Sequence, residues 1–477
     1  MSASRLATPH VREFLGDSLT PVAAYRRLPA DQPRFLFESV TGGEQISRYS
    51  FVGGSPRELY HVHCDRLEIE RRHGTEVLAG DPLEQLRSVI TAIGAESGAV
   101  PFLGGFVGYF GYDLVRLRER LLERPPDPFG LPWATLARID SLLVFDHAHQ
   151  RLLAVANEID GEVEAAEAEA ELDRLQALLT GEELARAELL PRLEPARQTA
   201  PVASLAGGEY RQAVRTAQEH IARGDILQVV LARRFDLGPA VDPTALYRAL
   251  RTVNPSPYMF LFETSEMALV GASPEMMVRK TGRFVETRPI AGTRGRGASA
   301  EADEALAREL LADAKERAEH VMLVDLGRND LGRVAQPGSV RVPTFMEVER
   351  YSHVMHICSS VEAELATEYD ALDLLLACFP AGTVSGAPKI RAMELIDELE
   401  PEARGPYAGA VGYLSFAGDL DTCIAIRTLL VHAGKVSVTA GAGIVADSDP
   451  AAEEIETESK AAALLAAVDL ARRLGAC

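Results

Sequence analysis

The order of predicted strands and helices is the feature that most constrains the fold of this chain. In the first 155 or so residues, short apolar runs at 34–37, 49–52 and 141–145 are bounded by turns, two of them the glycine pairs at 42–43 and 53–54, which predicts strands. From residue 209 onwards, strands and helices interleave without a regular strand–helix repeat. This irregular order favours an α+β fold over a barrel of alternating units.

A composition change between residues 161 and 206 predicts a boundary between two units. Residues 161–180 are rich in Ala, Glu and Leu at helical spacing, and 185–205 are polar and interrupted by proline. The predicted division is an N-terminal unit at 1–160, a helix and linker at 161–206, and a C-terminal unit at 207–477. Within the last unit we expect helices at 210–222, 301–323, 387–399 and 450–474, a strand at 226–235, and hairpins at 278–285 and 430–437.

The overall charge restricts the possible partners. Lys and Arg number 49 and Asp and Glu number 70, which gives a formal charge of −21 and disfavours nucleic acid and anionic membranes. No stretch approaches the roughly 20 apolar residues of a membrane span. The five cysteines show no paired spacing, as is typical of a reducing compartment. The sequence therefore predicts a soluble, cytoplasmic protein.

Two pairs of glutamates occur at helical spacing. Glu316 and Glu319 are three residues apart in one predicted helix, and Glu453 and Glu456 are three apart in another. That spacing puts each pair on one helical face. Two such faces brought together would form an oxygen site suited to Mg²⁺, although the same pattern is common on solvated helices. The spacing alone leaves both interpretations open.

Arg427 and a glycine pair suggest anion binding. Arg427 lies in the apolar run 422–429, which predicts a strand, and a buried arginine needs an anionic partner. That partner is either a carboxylate of the protein or a bound ligand. Gly441 and Gly443 flank Ala442 and would allow a ligand to approach the backbone N–H groups closely.

Several motifs together resemble those of the chorismate-utilising enzymes, and within them the large subunit, component I, of anthranilate synthase. The motifs are TRPIAGT at 287–293, AEHVMLVD at 318–325, PAGTVSGAPK at 380–389, GAG at 441–443 and EEIETESK at 453–460. The resemblance extends to LFES at 36–39 and GYFGYD at 108–113, so it covers nearly the whole chain. It implies antiparallel β-sheets flanked by helices, a regulatory N-terminal unit and a chorismate-binding C-terminal unit.

The resemblance also implies roles for particular residues. The metal ligands for Mg²⁺ would be Glu319 and Glu456. The catalytic residues would be Glu275 as general acid, His356 in the loss of pyruvate, Gln228 and Thr293. Chorismate would be bound by Gly292, Thr293, Tyr407, Arg427, Gly441, Ala442, Gly443 and Lys460. Tryptophan, as an inhibitor, would be bound by Ser39, Pro257, Tyr258 and Met259.

Two positions distinguish members of this family. Relatives that make aminodeoxychorismate typically carry a lysine at the position of Ala291, where it can act as a covalent nucleophile. Relatives that add water, the isochorismate and salicylate synthases, typically carry a lysine at the position of Gln228 as general base. Ala291 and Gln228 therefore indicate amination, with those enzymes and a catalytically idle homologue as the alternatives.

The activity implied by the resemblance is the conversion of chorismate and ammonia to anthranilate and pyruvate, the first committed step of tryptophan biosynthesis. No Cys-His-Glu glutaminase pattern is evident in the sequence. We therefore expect a separate glutamine amidotransferase subunit to supply ammonia, which predicts a hetero-oligomer. Feedback inhibition by tryptophan is the expected form of control.

Overall fold

A computed structural model describes residues 5–39, 48–121, 124–180, 201–350 and 354–474. It confirms the predicted α+β class, with two large sheets and helices on their outer faces. Most of the predicted linker, residues 181–200, lies outside the described residues. Within the described parts of the chain, no helix is long and apolar enough to cross a membrane.

The strands within the described residues are as follows. The first eleven are β1 (Arg5–Leu15), β2 (Arg34–Glu38), β3 (Tyr49–Gly54), β4 (Glu58–Val62), β5 (Arg66–Arg71), β6 (Gly74–Ala79), β7 (Ile93–Ala95), β8 (Gly105–Phe110), β9 (Ala134–Ile139), β10 (Ser141–Asp146) and β11 (Arg151–Ile159). The others are β12 (Val202–Ala203), β13 (Gln228–Pro239), β14 (Tyr258–Glu263), β15 (Met267–Ser273), β16 (Met276–Thr281), β17 (Phe284–Thr287), β18 (Ile290–Gly295), β19 (Arg341–Arg350), β20 (Val354–Glu364), β21 (Gly386–Ala387), β22 (Ala410–Ser415), β23 (Leu420–Ile424), β24 (Thr428–His432) and β25 (Lys435–Ile444).

The helices fall between these strands. They are α1 (Pro21–Tyr25), α2 (Pro82–Ile90), α3 (Ala165–Thr180), α4 (Gly207–Arg223), α5 (Pro243–Val253), α6 (Ala300–Ala312), α7 (Ala314–Gly332), α8 (Ala371–Cys378), α9 (Lys389–Leu399) and α10 (Pro450–Leu474). Two short 3-10 helices span Tyr112–Leu117 and Gly382–Val384.

Both sheets run across the predicted boundary between the two units. In the first sheet the order is β12-β13-β25-β24-β15-β14-β2-β3-β10-β11-β1-β7, with β21 also paired to β13. In the second it is β18-β20-β17-β16-β23-β22-β8-β9-β4-β5-β6, with β19 also paired to β20. The pairs β14–β2 and β22–β8 therefore join the two halves of the sequence. The division at 1–160, 161–206 and 207–477 remains a prediction.

The core is divided among the two sheets and the helices. Phe35 and Leu269 of the first sheet share one buried cluster with Val107 and Val411 of the second, so the sheets pack on each other. A second cluster joins the first sheet to α3, α5 and α10. A third joins the second sheet to α2, α7, α8 and α9. This apolar burial is the main stabilising contribution to the fold.

The structure confirms several elements that periodicity predicted and corrects others. The helix at 450–474 and both hairpins are present as expected. The prediction of a single helix at 301–323 is wrong, because this segment forms two helices, α6 and α7, which meet at Asp313. The side chain of Asp313 accepts hydrogen bonds from the N–H groups of Lys315 and Glu316 and so caps α7.

Two further boundaries differ from the prediction. The helix expected at 387–399 begins at Lys389, because residues 386–387 pair with β13 instead. The strand expected at 422–429 is interrupted: β23 ends at Ile424 and β24 begins at Thr428. Arg427 lies in the connection, with a left-handed φ of 51°. A non-glycine residue in that region of φ is uncommon and is held there by its surroundings.

We predict that Gly412→Ala destabilises the second sheet by about 1–3 kcal/mol. An added Cβ would lie 2.1 Å from the main-chain oxygen of Asp421 and 2.8 Å from the Cα of Thr422, in the neighbouring strand β23. Gly208→Ala on α4 is the matched control, because among the described residues nothing outside its own helix turn and chain neighbours lies within 4 Å of an added Cβ. Urea denaturation measures both variants. Equal stability of Gly412→Ala and the wild type would contradict the strand pairing.

Candidate active site

A cavity of about 220 Å³ is enclosed by β13, β25, α7, α10 and the loops after β15 and β23. Ten residues named in the sequence analysis line it: Gln228, Glu275, Ala291, Glu319, Tyr407, Arg427, Gly441, Gly443, Glu456 and Lys460. Pro274, Ile290, Leu323, Thr383, Val384 and Leu464 complete much of the wall. The fold therefore brings into one cavity residues as far apart in the sequence as Gln228 and Lys460.

Two glycines on β25 make room for the polar side chains of this cavity. β25 pairs with β13 so that Gly441 lies opposite Ala232 and Gly443 opposite Val230. A Cβ at 441 would lie 2.7 Å from the Tyr407 hydroxyl, and one at 443 would lie 2.6 Å from Nε2 of Gln228. A side chain at either position would therefore displace Tyr407 or Gln228. Ala442, between the two glycines, is fully buried in the core and does not line the cavity, as strand alternation requires.

The predicted metal ligands Glu319 and Glu456 line the cavity from two different helices, α7 and α10. Burial raises the pKa of Glu319, and the negative charges of Glu316 and Glu456 raise it further. Nε2 of Gln228 lies 3.4 Å from Oε1 of Glu319 and donates to it. These carboxylates therefore repel each other in a partly buried site, which favours a bound cation or proton.

The other members of the two glutamate pairs are not in the wall of the cavity. Glu316 accepts a hydrogen bond from Nη1 of Arg294 at 3.2 Å, and Arg294 also pairs with Asp313. Glu453 is buried, and this burial raises its pKa, which its hydrogen bond to Ser448 partly offsets. Both side chains lie close enough to affect the charge of the site.

The donor set fits a hard divalent cation. The described residues contain no group of three or more His, Cys, Asp or Glu side chains close enough to hold a metal by themselves. Mg²⁺ needs no such group, because it keeps several waters and takes one or two carboxylates together with substrate oxygens. Oε1 of Gln228 is buried and finds no hydrogen-bond partner in the part of the chain that the structure describes, which adds a neutral oxygen beside Glu319.

Arg427 contributes a positive charge to the wall of the cavity. Its side chain is partly buried, and this burial lowers its pKa while Glu456 and Tyr407 act in the opposite direction. Among the residues that the structure describes, no hydrogen bond or ion pair to this guanidinium is found. A cation in this state favours the binding of an anion, because leaving a buried charge unpaired is costly. Guanidinium geometry suits a carboxylate.

Glu275 is a buried carboxyl in the connection between β15 and β16. Its N–H donates to Oγ of Ser273 at 3.3 Å, and its main-chain oxygen accepts from the N–H of Ile424 at 3.0 Å. Burial raises the pKa of Glu275 to about 8, and the nearby Thr383 and Lys460 only partly oppose this. Glu275 is therefore mostly protonated at neutral pH and can donate a proton.

Lys460 connects α10 to β25 at the edge of the cavity. Its Nζ donates to the main-chain oxygen of Gly441 at 2.8 Å and pairs with Oε1 of Glu456 at 2.7 Å. Lys460 therefore holds Glu456 near the glycine pair. It also places a positive charge near the carboxyl of Glu275.

His356, Gly292 and Thr293 form a second group, outside the residues that line the cavity. Nδ1 of His356 lies 3.0 Å from the main-chain oxygen of Gly292 and 3.1 Å from Oγ1 of Thr293. The preceding residue, Ala291, does line the cavity. Burial lowers the pKa of His356, and the charge of Arg427 lowers it further, so the ring is mostly neutral at neutral pH.

Arg404, which no sequence pattern indicated, supports the cavity wall from behind. Arg404 is buried and pairs with Glu400. It donates to the main-chain oxygens of Val230 and Val384, both at 2.7 Å, and its guanidinium lies 5.5 Å from the ring centre of Tyr407. The only local signal is the four-residue spacing of Glu400 and Arg404, which is also common on exposed helices.

A second pocket of about 300 Å³ lies between the two sheets. All four predicted inhibitor residues, Ser39, Pro257, Tyr258 and Met259, line it together with aromatic side chains that include Tyr49, Phe51 and Tyr413. Oγ of Ser39 is buried and has no hydrogen-bond partner among the described residues. The Tyr258 hydroxyl donates to Oδ1 of Asp421 at 3.0 Å. Asp421 was not predicted, because it reaches the pocket from a strand 163 residues further along the chain.

Comparison with known proteins defines the class. A family model described as chorismate binding enzyme matches residues 21–466. The chain therefore belongs to the chorismate-binding enzyme family. Within it, the chain is 48% identical over 469 residues to anthranilate synthase component 1 of Thermus thermophilus, covering 97% of this chain and 98% of the relative. It is 44% identical over 470 residues to the component 1 of Acetivibrio thermocellus, covering 97% and 95%.

A solved structure agrees with this assignment. The crystal structure of anthranilate synthase component I from Streptococcus pneumoniae superposes with a TM-score of 0.78 at 37% identity. The match covers 94% of this chain and 98% of that one. The predicted family and fold are thereby confirmed.

We predict that the ionisation of Glu275 lowers stability as pH rises. The folded chain holds this proton up to about pH 8, whereas an unfolded glutamate releases it near 4.5. Between those values the folded state binds more protons, so the free energy of unfolding falls with rising pH. From about pH 6 to about pH 9, the wild type should lose about 2–3 kcal/mol more than Glu275→Gln.

Urea denaturation of both proteins at the two pH values measures this difference. Because every other titrating group is shared, subtracting the two profiles isolates Glu275. Parallel profiles for the wild type and Glu275→Gln would show that the carboxyl has an ordinary pKa and would contradict its burial.

Proposed function

We propose that this protein is the synthase subunit of anthranilate synthase, which converts chorismate and ammonia to anthranilate and pyruvate. The observation that carries the proposal is the cavity itself, in which two carboxylates, an arginine without a partner among the described residues, and a protonated glutamate line one space. Chorismate has two carboxylates and a hydroxyl that must leave, so its chemistry matches each of these groups.

Each of the two carboxylates of chorismate would be bound by its own positively charged group. Arg427 and the Tyr407 hydroxyl would hold the enolpyruvyl carboxylate, because both are donors that line the cavity. Mg²⁺ held by Glu319 and Glu456 would supply positive charge for the ring carboxylate. The N–H groups of Gly441 and Gly443, with Lys460, would complete the contacts with the substrate. These local positive charges would attract an anionic substrate although the formal charge of the whole protein is −21.

Glu275 would act as general acid in the amination step. As the lone pair of ammonia attacks the ring, the double bond shifts and the ring C–O bond breaks. The proton of Glu275 moves to the departing oxygen, which leaves as water, and the new ammonium group then loses a proton. Ammonia needs no general base to be nucleophilic, so the neutral amide of Gln228 suits this position.

His356 would act in the second step, in which pyruvate is lost and the ring becomes aromatic. Its contacts with Thr293 and the backbone of Gly292 hold the ring beside the segment that contains Ala291. The depressed pKa keeps the imidazole neutral and able to accept a proton. Thr293 would orient the ring, and the same segment would contact the substrate.

Two residues that line the cavity argue against the alternative activities. Ala291 has a methyl group where the covalent mechanism of aminodeoxychorismate synthase uses a lysine. Gln228 cannot act as the general base that the addition of water requires. An idle homologue is disfavoured because the charged residues of the site are all present.

The relatives' designation as component 1 supports a second component. We propose that this is a glutamine amidotransferase subunit that delivers ammonia, and that the two form a hetero-oligomer in the cytoplasm. We also propose that tryptophan binds the second pocket. Its indole would pack among the aromatic side chains and Met259, and the buried Ser39 hydroxyl would gain a hydrogen-bond partner.

Product analysis tests the proposed activity. The purified chain, chorismate, Mg²⁺ and an ammonium salt should yield a fluorescent product with the mass of anthranilate, together with pyruvate. Aminodeoxychorismate or salicylate as the main product would overturn the proposal in favour of another member of the family. Absence of Mg²⁺-dependent turnover would favour the idle homologue.

We predict that Glu319→Gln and Glu456→Gln each reduce turnover at limiting Mg²⁺ by about 100-fold or more while the fold is retained. Each change removes a negative ligand and keeps the volume of the side chain. Glu301→Gln on α6 is the matched control, since Glu301 is exposed and lies outside the cavity. Initial rates across a Mg²⁺ titration measure the effect. Wild-type rates in either variant would refute the ligand assignment.

We predict that tryptophan binds the second pocket and that Ser39→Phe abolishes this binding. The phenyl ring introduced at position 39 would occupy the space beside Pro257 and Met259. Ser88→Phe on the exposed side of α2 controls for added surface hydrophobicity. Calorimetric titration gives the affinity of each protein. Undiminished binding to Ser39→Phe would locate the effector elsewhere, and no binding to the wild type would remove the regulatory proposal.

A further inference from the structure

A buried arginine outside the cavity has an unusual set of partners. Arg233 lies on β13, three positions after Val230, and only 3% of its surface is exposed. Its guanidinium lies 4.9 Å from the ring centre of Tyr210 and 5.1 Å from that of Phe235. The N–H groups of a buried guanidinium need hydrogen-bond acceptors within the protein, so these acceptors show which elements Arg233 holds together.

Most of these hydrogen bonds go to the start of α10. Nε of Arg233 donates to Oγ1 of Thr457 at 2.9 Å. Nη2 donates to the main-chain oxygen of Glu454 at 3.1 Å and to the carboxylate of Glu458 at 3.3 Å. Nη1 donates to the main-chain oxygen of Leu205 at 3.4 Å. One side chain of β13 thus holds both backbone and side chains of one short segment of helix.

Glu456 lies within this segment, between the contacts at 454 and 457. Its side chain is 46% exposed, and its carboxylate pairs with Lys460 of the same helix. Lys460 in turn donates to the main-chain oxygen of Gly441, which ties α10 to β25. Arg233 adds the tie to β13, the strand that also carries Gln228, which donates to Glu319.

We propose that Arg233 is a positioning residue for the divalent cation. It fixes the start of α10 against β13 and so keeps Glu456 in the wall that also contains Glu319. The inference rests on the proposed function in one respect, the assignment of Glu319 and Glu456 as ligands. Arg233 itself is not among the residues that line the cavity.

The geometry requires arginine. A planar guanidinium donates to the hydroxyl, the carbonyl and the carboxylate in fixed directions while it contacts two aromatic rings. A lysine keeps the charge but has one nitrogen at the end of a flexible chain, so it cannot reach all three acceptors. Arg233→Lys should therefore retain the charge and lose the positioning.

Arg234→Lys is a closely matched control. Arg234 follows Arg233 in the same strand, so it projects to the opposite face of the sheet. It pairs with Glu402 through Nε and Nη2, at 2.7 and 3.0 Å, and has no contact with α10 among the described residues. Both variants make the same chemical change to a partly or fully buried ion pair.

The experiment measures Mn²⁺ binding from the EPR signal of the free ion, in the presence of chorismate and the absence of ammonium. Arg233→Lys should weaken Mn²⁺ binding about tenfold, as outer contacts of metal ligands do. The Mg²⁺ concentration for half-maximal turnover should rise by a similar factor, with kcat restored at saturating Mg²⁺. Arg234→Lys should change neither quantity.

A second pair of variants keeps the test decisive if Arg233→Lys does not fold. Thr457→Val is nearly isosteric and removes one acceptor without changing any charge, whereas Thr457→Ser keeps the hydroxyl. Valine should weaken Mn²⁺ binding and serine should not. Folded Arg233→Lys or Thr457→Val that binds Mn²⁺ as the wild type does would overturn the inference. A wild type that binds no Mn²⁺ and turns over without Mg²⁺ would instead refute the ligand assignment itself.

Discussion

The antiparallel pairing of β13 with β25 is the interaction on which the rest of the site depends. It aligns Val230 with Gly443 and Ala232 with Gly441, so that two positions without side chains face Gln228 and Tyr407. The same two strands receive α10 through Arg233 and Lys460. A shift of one residue in this register would reverse which side chains face the cavity. The register therefore determines the composition of the cavity wall as well as its shape.

The pairing of β13 with β25 also places groups of opposite charge in different parts of the cavity wall. Carboxylates from α7 and α10 form one part of the wall, and Arg427, held in a left-handed connection, contributes the opposite charge. Glu275 is buried deeply enough to stay protonated near neutral pH. The wall thus combines carboxylates suited to a cation, a guanidinium and a protonated carboxyl. A substrate with two carboxylates and a leaving hydroxyl can use all of these, and this is why the cavity supports the proposed chemistry.

The sequence predicted local features well and long-range ones only through motifs. Helix α10 and the hairpins follow from periodicity and turn residues, and the glycines at 441 and 443 were correctly expected to allow close approach. The break at Asp313 was missed because an aspartate within a helical pattern and an N-cap aspartate look alike until the backbone is known. Arg404 and Asp421 were missed because their partners are distant in the sequence. Neither pattern nor propensity encodes which distant strands will pair.

We expect Glu319, Glu456 and Arg427 to form one substrate site that binds a cation and a carboxylate together. A crystal structure with Mn²⁺ and chorismate, without ammonium, tests this arrangement through the anomalous scattering of the metal. The expected result is a single strong Mn²⁺ peak beside the carboxylates of Glu319 and Glu456, with a carboxylate of the ligand on the guanidinium of Arg427. A peak elsewhere, or Arg427 paired with a protein carboxylate while chorismate is bound, would contradict it.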